Sequence, residues 1–276
     1  MRTTTDLPVY DTANLKPAFI QELIDSFHYR HLLAQLIRRD VTIRYKRSLL
    51  GVAWSMLNPL GMMIVMTVVF SNIFGADIKY RVYLLSGLLA WNFFAEASST
   101  GVGNMVWGSG LMQQVFVPRS LFVVSTVGTG LVNLLLAIVP LLGVMLWANV
   151  PVRWAVLFAP IPAVLILLFT LGVGLTLSVG AMYFADIQEM FKLVLRAWMF
   201  LTPIFYPESL LVDSGHAWIL KFNPMTYLVR VFRIPFESGR LPNAAEFLPA
   251  VAIAVGTFLI GWLIFNRFAD EFTYRV

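Results

Sequence analysis

Few side chains in this 276-residue sequence have types and spacings that do chemistry. His28 and His31 sit three apart, a spacing two metal ligands can share on a helix. No cysteine or carboxylate cluster completes such a site, so they read as surface histidines, and His216 stands alone. No G-x-x-x-x-G-K-[ST] phosphate loop occurs, so the chain by itself does not bind and hydrolyse ATP in the usual way. Nothing forms a serine or paired-carboxylate catalytic set, and Asp40 and Asp186 are too isolated to serve a metal-dependent transferase. Two features remain. Glu96 is the one acid well inside an apolar stretch. It is either functional or a carboxylate satisfied by Ser98, Ser99 or another helix. Arg38, Arg39, Arg44, Lys46 and Arg47 fall within ten positions, immediately before the sequence turns apolar.

The elements that position these residues are membrane helices. Hydrophobic residues make up 59% of the chain, charged residues 13%, and mean hydropathy is +0.77. Several runs of about 20 residues carry at most one charge, long enough to cross a hydrocarbon core roughly 30 Å thick. Six spans are expected: Gly51–Phe74, Val82–Val106, Leu121–Val150, Trp154–Phe184, a shorter Met190–Tyr206, and Phe247–Phe268. An even number puts both termini on one side. With that side cytoplasmic, the inside segments hold 13 of the 20 Lys/Arg, eight of them before Gly51. This bias predicts cytoplasmic termini. The polar start, with no apolar run before Ala18, reads as uncleaved, the first span acting as insertion signal. With no cysteine there is no disulfide framework.

Between the spans, the stretch from Pro17 to Asp40 places Ile20, Leu23, Ile24, Phe27 and Leu36 at near-helical spacing. It reads as an amphipathic helix lying in the interface. Residues 108–120 form a short amphipathic cytoplasmic turn. Residues 207–246 are too apolar for a plain loop and read as two short helices broken at Asn223–Pro224. Of the many aromatic residues, those at span ends fit an interfacial belt. Trp91, Phe93, Phe94, Trp198 and Phe200 fall mid-span. They are candidates either for helix packing or for lining a channel in which sugar rings stack on aromatic faces, an analogy with nucleic-acid channels.

Four stretches carry a resemblance. They are RRDVTIRYKRSLLGVAWSMLNPL (38–60), NMVWGSGLMQQVFVPRSLF (104–122), YFADIQEMFKLVLRAWMFLTPIFYP (183–207) and FNPMTYLVRVFRIPFESG (222–239). In this order they resemble the permease subunits of ABC-2 type polysaccharide exporters, which carry O-antigen, capsule or teichoic acid. Ala185 before Asp186, where the family often has arginine, and Gln113–Gln114, where it often has lysine, depart from the pattern.

The resemblance implies an all-α integral membrane protein of ABC-2 (type V) exporter architecture. Residues 1–50 would form the cytoplasmic tail and interfacial helix, and 51–276 the six-helix transmembrane domain. It implies a homodimer with two copies of a separate ATPase subunit, which would bind ATP and magnesium. This chain would hold no cofactor and no nucleic acid. The substrate would be a glycan on an undecaprenyl-type diphosphate, exported across the bacterial inner membrane. Gln113, Gln114, Pro118 and Arg119 would couple to the ATPase, and Asn223 and Pro224 would belong to an external gate. The five basic residues would anchor the chain on anionic headgroups, at about 1 kcal/mol each, and would also receive the lipid diphosphate, since diphosphate favours converging arginines. Rival readings are an ABC-2 exporter of small hydrophobic drugs, a membrane-embedded glycan- or lipid-modifying enzyme, and a secondary transporter. The last is weakened by having one mid-membrane acid.

Overall fold

The computed structural model describes residues 29–46, 51, 53–74, 78–107, 120–184 and 186–268. Among the described residues every regular element is helical. The chain runs α1 (Arg30–Tyr45), α2 (Ala53–Phe74), α3 (Ile78–Trp107), α4 (Ser120–Trp147), a 3₁₀ turn (Trp154–Phe158) and α5 (Pro160–Tyr183). There follow α6 (Ile187–Leu201), α7 (Glu208–Asp213), α8 (Ala217–Phe222), α9 (Pro224–Glu237) and α10 (Ala244–Phe268).

Three segments combine the length and apolarity needed to cross a bilayer: α4, the 3₁₀ turn with α5, and α10. A fourth apolar stretch, Met56–Phe70, lies within α2. Three hydroxyls of α4 and α5 are closed on their own backbone. Thr129, Thr170 and Ser178 each donate to the carbonyl four residues back, at 2.9, 2.7 and 2.7 Å, so they do not leave unmet donors in an apolar surround. The 30-residue α3 is long but more polar, and the reason is its position: it packs against α2, α4, α5, α6 and α9. Protein rather than lipid covers it, with Val82, Leu84, Leu85, Leu88 and Leu89 buried.

Helices α5 and α10 form the closest pairing. Gly172 and Gly261 face one another there, and a Cβ on either would strike the partner's backbone. With apolar lipid on both sides there is little hydrophobic drive to associate, so close packing of small residues supplies it.

The helix before the first span runs to Tyr45, with the Thr42 hydroxyl donating to the Arg38 carbonyl at 2.7 Å, so basic residues 38, 39 and 44 lie on it. The observed elements differ from expectation in two places. The fifth span ends at Leu201, because Pro203 cannot continue a helix. At 15 residues it is about 22 Å long, too short to cross a bilayer alone. The external segment holds three helices instead of two. The unpredicted break is at Gly215, whose φ of +77° suits a residue without Cβ. The break at Asn223–Pro224 is present: Asn223 caps α9 and Pro224 takes its first position.

Candidate functional site

A cavity of about 730 Å³ opens between α1, α2, α3 and α4. Its polar lining comes from four helices: Arg44 of α1, Asn58 of α2, Asn92 and Glu96 of α3, and Asn133 of α4. Trp54, Pro59 and Phe93 add apolar wall. Pro59 lies inside α2 and withholds one backbone donor from the preceding turn, where the helix passes the cavity.

Among the described residues, the charges on this lining are paired. Arg44 Nη1 lies 2.6 Å from Glu96 Oε1, with the side chains 36% and 56% exposed. Glu96 is therefore satisfied by another helix, and the neighbouring Ser98 instead donates to the Phe94 carbonyl at 2.6 Å. Arg44 and Glu96 also line a second cavity of about 260 Å³, with Asp40, Thr100, Thr126 and Thr129. The pair stands where the two cavities meet. It ties the end of α1 to the middle of α3, while Ile37 seats α1 on α4 in the notch left by Gly128, where a Cβ would come within 2.6 Å of the isoleucine Cδ1.

The structure disperses the basic cluster. At 100° per residue, positions 38, 39 and 44 point in different directions, and Lys46 follows the helix as its extended C-cap. Arg39 donates to Asp40 Oδ1 through Nε and Nη2, at 3.0 and 2.9 Å. Arg44 turns inward to Glu96. Arg38 and Lys46 face outward and form no ion pair among the described residues. Arg47 and the coupling residues Gln113, Gln114, Pro118 and Arg119 lie outside the described residues, as does His28.

The mid-span aromatics separate into two groups. Trp91, Phe93 and Phe94 are buried within one copy of the chain. Trp198 packs edge-on against Trp91 and Phe94, with ring centroids 6.0 and 5.3 Å apart, and Phe169 closes the group. These rings fill the junction of α3, α5 and α6. Only the edge of Phe93 reaches the large cavity, and only Phe200, 64% exposed, presents a face outward.

Asn223 joins this aromatic group to the start of α9. Its Oδ1 accepts from Trp198 Nε1 at 2.8 Å and from the Met225 amide at 3.0 Å. Its Nδ2 donates to the Leu201 carbonyl and to Thr202 Oγ1, at 3.1 and 3.0 Å. One side chain thus ends α6, begins α9 and holds the indole between them. Arg233 on α9 is 3% exposed, donates to the Pro203 carbonyl at 3.0 Å and lies 3.5 Å over the Tyr83 ring. It occupies space left by Gly87, where a Cβ would meet its Nη2. At the rim, Arg230 Nε donates to Glu208 Oε1 at 2.9 Å. Arg240 donates to both oxygens of Glu246, ahead of the apolar run beginning at Phe247.

Sequence reasoning did not single out Asn92, Asn133 or the buried Arg233. Polar side chains inside apolar runs were the available signal. Counting only ionisable groups passes over the amides, and reading residues 207–246 as external places Arg233 in water.

Comparison with known proteins agrees with this architecture. The family model "ABC-2 type transporter" matches residues 31–236. The chain is 30% identical to the O-antigen export system permease protein RfbA of Myxococcus xanthus over 254 residues, 91% of this chain and 97% of the relative. It is 27% identical to the RfbA permease of Klebsiella pneumoniae, over 87% of this chain and 93% of the relative. It is 22% identical to the polysialic acid transport protein KpsM of Escherichia coli, over 84% of this chain and 91% of the relative. A helical bundle whose central polar helix is wrapped by apolar ones, matched to this model over most of its length, is a multi-pass membrane transporter subunit of the ABC-2 family.

Proposed function

We propose that this chain is the permease subunit of an ATP-driven exporter of a lipid-linked polysaccharide. It works as a homodimer with two ATPase subunits in the bacterial inner membrane, with both termini cytoplasmic. The observation that carries this reading is near-full-length similarity to permeases named for O-antigen and polysialic acid transport. Three further features support it. The sequence has no phosphate loop of its own, so the energy source is a partner. Its basic residues are concentrated before the first span. Apolar faces of α2 and α6, including Val65, Val68, Leu193 and Phe200, are uncovered in one copy, which suits lipid or a second copy.

In this reading the lipid anchor's diphosphate is received at the end of α1, with Arg38 and Lys46 drawing it to the surface and Arg44 inside the cavity. The ATPase docks on residues 108–120, through Gln113, Gln114, Pro118 and Arg119. The polymer passes along a seam between two copies to which Phe200 contributes, while the rings of Trp91, Phe94 and Trp198 keep the bundle rigid behind it. The Asn223–Pro224 helix start belongs to the external gate.

The test is deletion of the gene with complementation. Loss of long-chain surface polysaccharide, with lipid-linked glycan accumulating on the cytoplasmic face, is the expected outcome. Intact surface glycan with new sensitivity to hydrophobic drugs would overturn the reading in favour of drug export.

A further inference from the structure

The larger cavity has more room than ordered water needs, and its volume falls in the range of small-molecule sites. Its chemistry is specific. It holds one cation, Arg44, one anion, Glu96, and amides from three different helices, against apolar wall from Met62, Leu88 and Leu134. The guanidinium has five donors and matches phosphate in a two-point fork. Arg240 meets its carboxylate partner in that forked way, with Nη1 at 2.8 Å and Nη2 at 2.6 Å. Arg44 meets Glu96 through a close approach of Nη1 and Oε1, on side chains left partly open to the cavity. Helix α2, one wall of the site, exposes Leu57, Ile64 and Val65 on its outer side, so the site stands beside hydrocarbon rather than bulk water.

We propose that this cavity binds the phosphate of a lipid, with Arg44 as its cation and Glu96 as a resident competitor that the phosphate displaces. The inference rests on the reading of the chain as a carrier of a lipid-linked substrate, and it assigns an intramembrane site and an exchange of partners. In the empty site Glu96 neutralises Arg44 and ties α1 to α3. An arriving phosphate takes Arg44 in a fork, and the asparagine amides offer donors to its remaining oxygens. Glu96, now beside a second anion, turns toward the smaller cavity, which it also lines. The end of α1 is thereby released from α3 while its Ile37 seat on α4 remains. Occupancy of the site is reported to the one helix that leads back to the cytoplasmic surface.

The test is a thermodynamic cycle on the full chain in phosphatidylcholine nanodiscs, with farnesyl phosphate as probe. Farnesol and inorganic phosphate serve as the neutral-lipid and lipid-free arms. Glu96→Gln removes the competitor and is expected to bind farnesyl phosphate about tenfold more tightly. Arg44→Gln is expected to bind about tenfold more weakly. The double variant should match Arg44→Gln within about twofold, because Glu96 acts only through Arg44. Unchanged or weaker binding by Glu96→Gln, or a gain that persists without Arg44, would overturn the exchange. If Glu96→Gln does not insert, Glu96→Asp keeps the charge and shortens its reach. That variant should bind two- to threefold more tightly, and unchanged affinity would sink the proposal. Farnesol binding as tightly as farnesyl phosphate would also refute it, and weaker binding of inorganic phosphate supports a lipid-borne ligand. The outcome is separable from the export reading: a cycle that fails in a protein whose deletion abolishes surface glycan removes only the exchange.

Discussion

At the scale of single residues, the end of the bundle where α6 meets α9 is held by two polar side chains enclosed in it. Asn223 serves four partners at once and is 7% exposed. Asn223→Ala orphans the Trp198 indole and the Met225 amide, at about 1–3 kcal/mol for each unmet buried group. A fall of several degrees in the melting temperature of the detergent-solubilised protein is the expected result. Asn223→Asp keeps the cap but sets a carboxylate against the Leu201 carbonyl, so it should recover only part of the loss. Gly87→Ala pushes into the Arg233 guanidinium, and Arg233→Lys, with a slimmer head, should restore much of the lost stability. The cycle is read by thermal unfolding, and simple additivity of the two changes would show that the fit between Gly87 and Arg233 is unimportant. None of these links was legible in the sequence. An asparagine before a proline announces a helix start, but not that its far side meets an indole 25 residues earlier. For the basic cluster, density along the chain is likewise not convergence in space, because a helix turns neighbours 100° apart.

At the scale of elements, the apolar helices were the legible part, because length and hydropathy together fix a span. Their ends were found within a few residues wherever Gly, Pro or a polar turn intervenes, as at Trp154 and Phe247. The fifth helix was overrun because apolar residues continue past Pro203, where Ile204 and Phe205 are buried in a turn rather than a helix. An apolar run says that water is excluded, not whether lipid or protein excludes it, and the same ambiguity made Trp91 and Phe94 candidates for a lining. The contact between α5 and α10 gives a sharp prediction. Gly172→Ala or Gly261→Ala drives a methyl into backbone that cannot swing aside, costing about 1–3 kcal/mol. Both should lower the melting temperature, and the double variant should lose less than the sum, since one separation of the helices serves both methyls.

At the scale of the whole molecule, one copy leaves apolar faces on α2 and α6 that lipid or a twin must cover. The chain has no cysteine, so introduced ones report cleanly. If α2 lies at the seam of a homodimer, Val65→Cys or Val68→Cys should form disulfide-linked dimers in native membranes, while Leu259→Cys on α10 should not. Crosslinking at Leu259 alone would move the seam to the other side of the bundle.

The shortness of α6 has a further consequence. A bilayer sealed on both sides by full-length helices sets a hydrophilic polymer a barrier roughly 30 Å deep. Beside α6 the helical wall is about 22 Å, and the chain then turns at Pro203 beneath the helices that follow. For a polymer that passes along α6, as proposed, fewer sugar units need be out of water at once there. Transport should accordingly fall in bilayers of longer-chain lipids, where the surrounding hydrocarbon closes over that step.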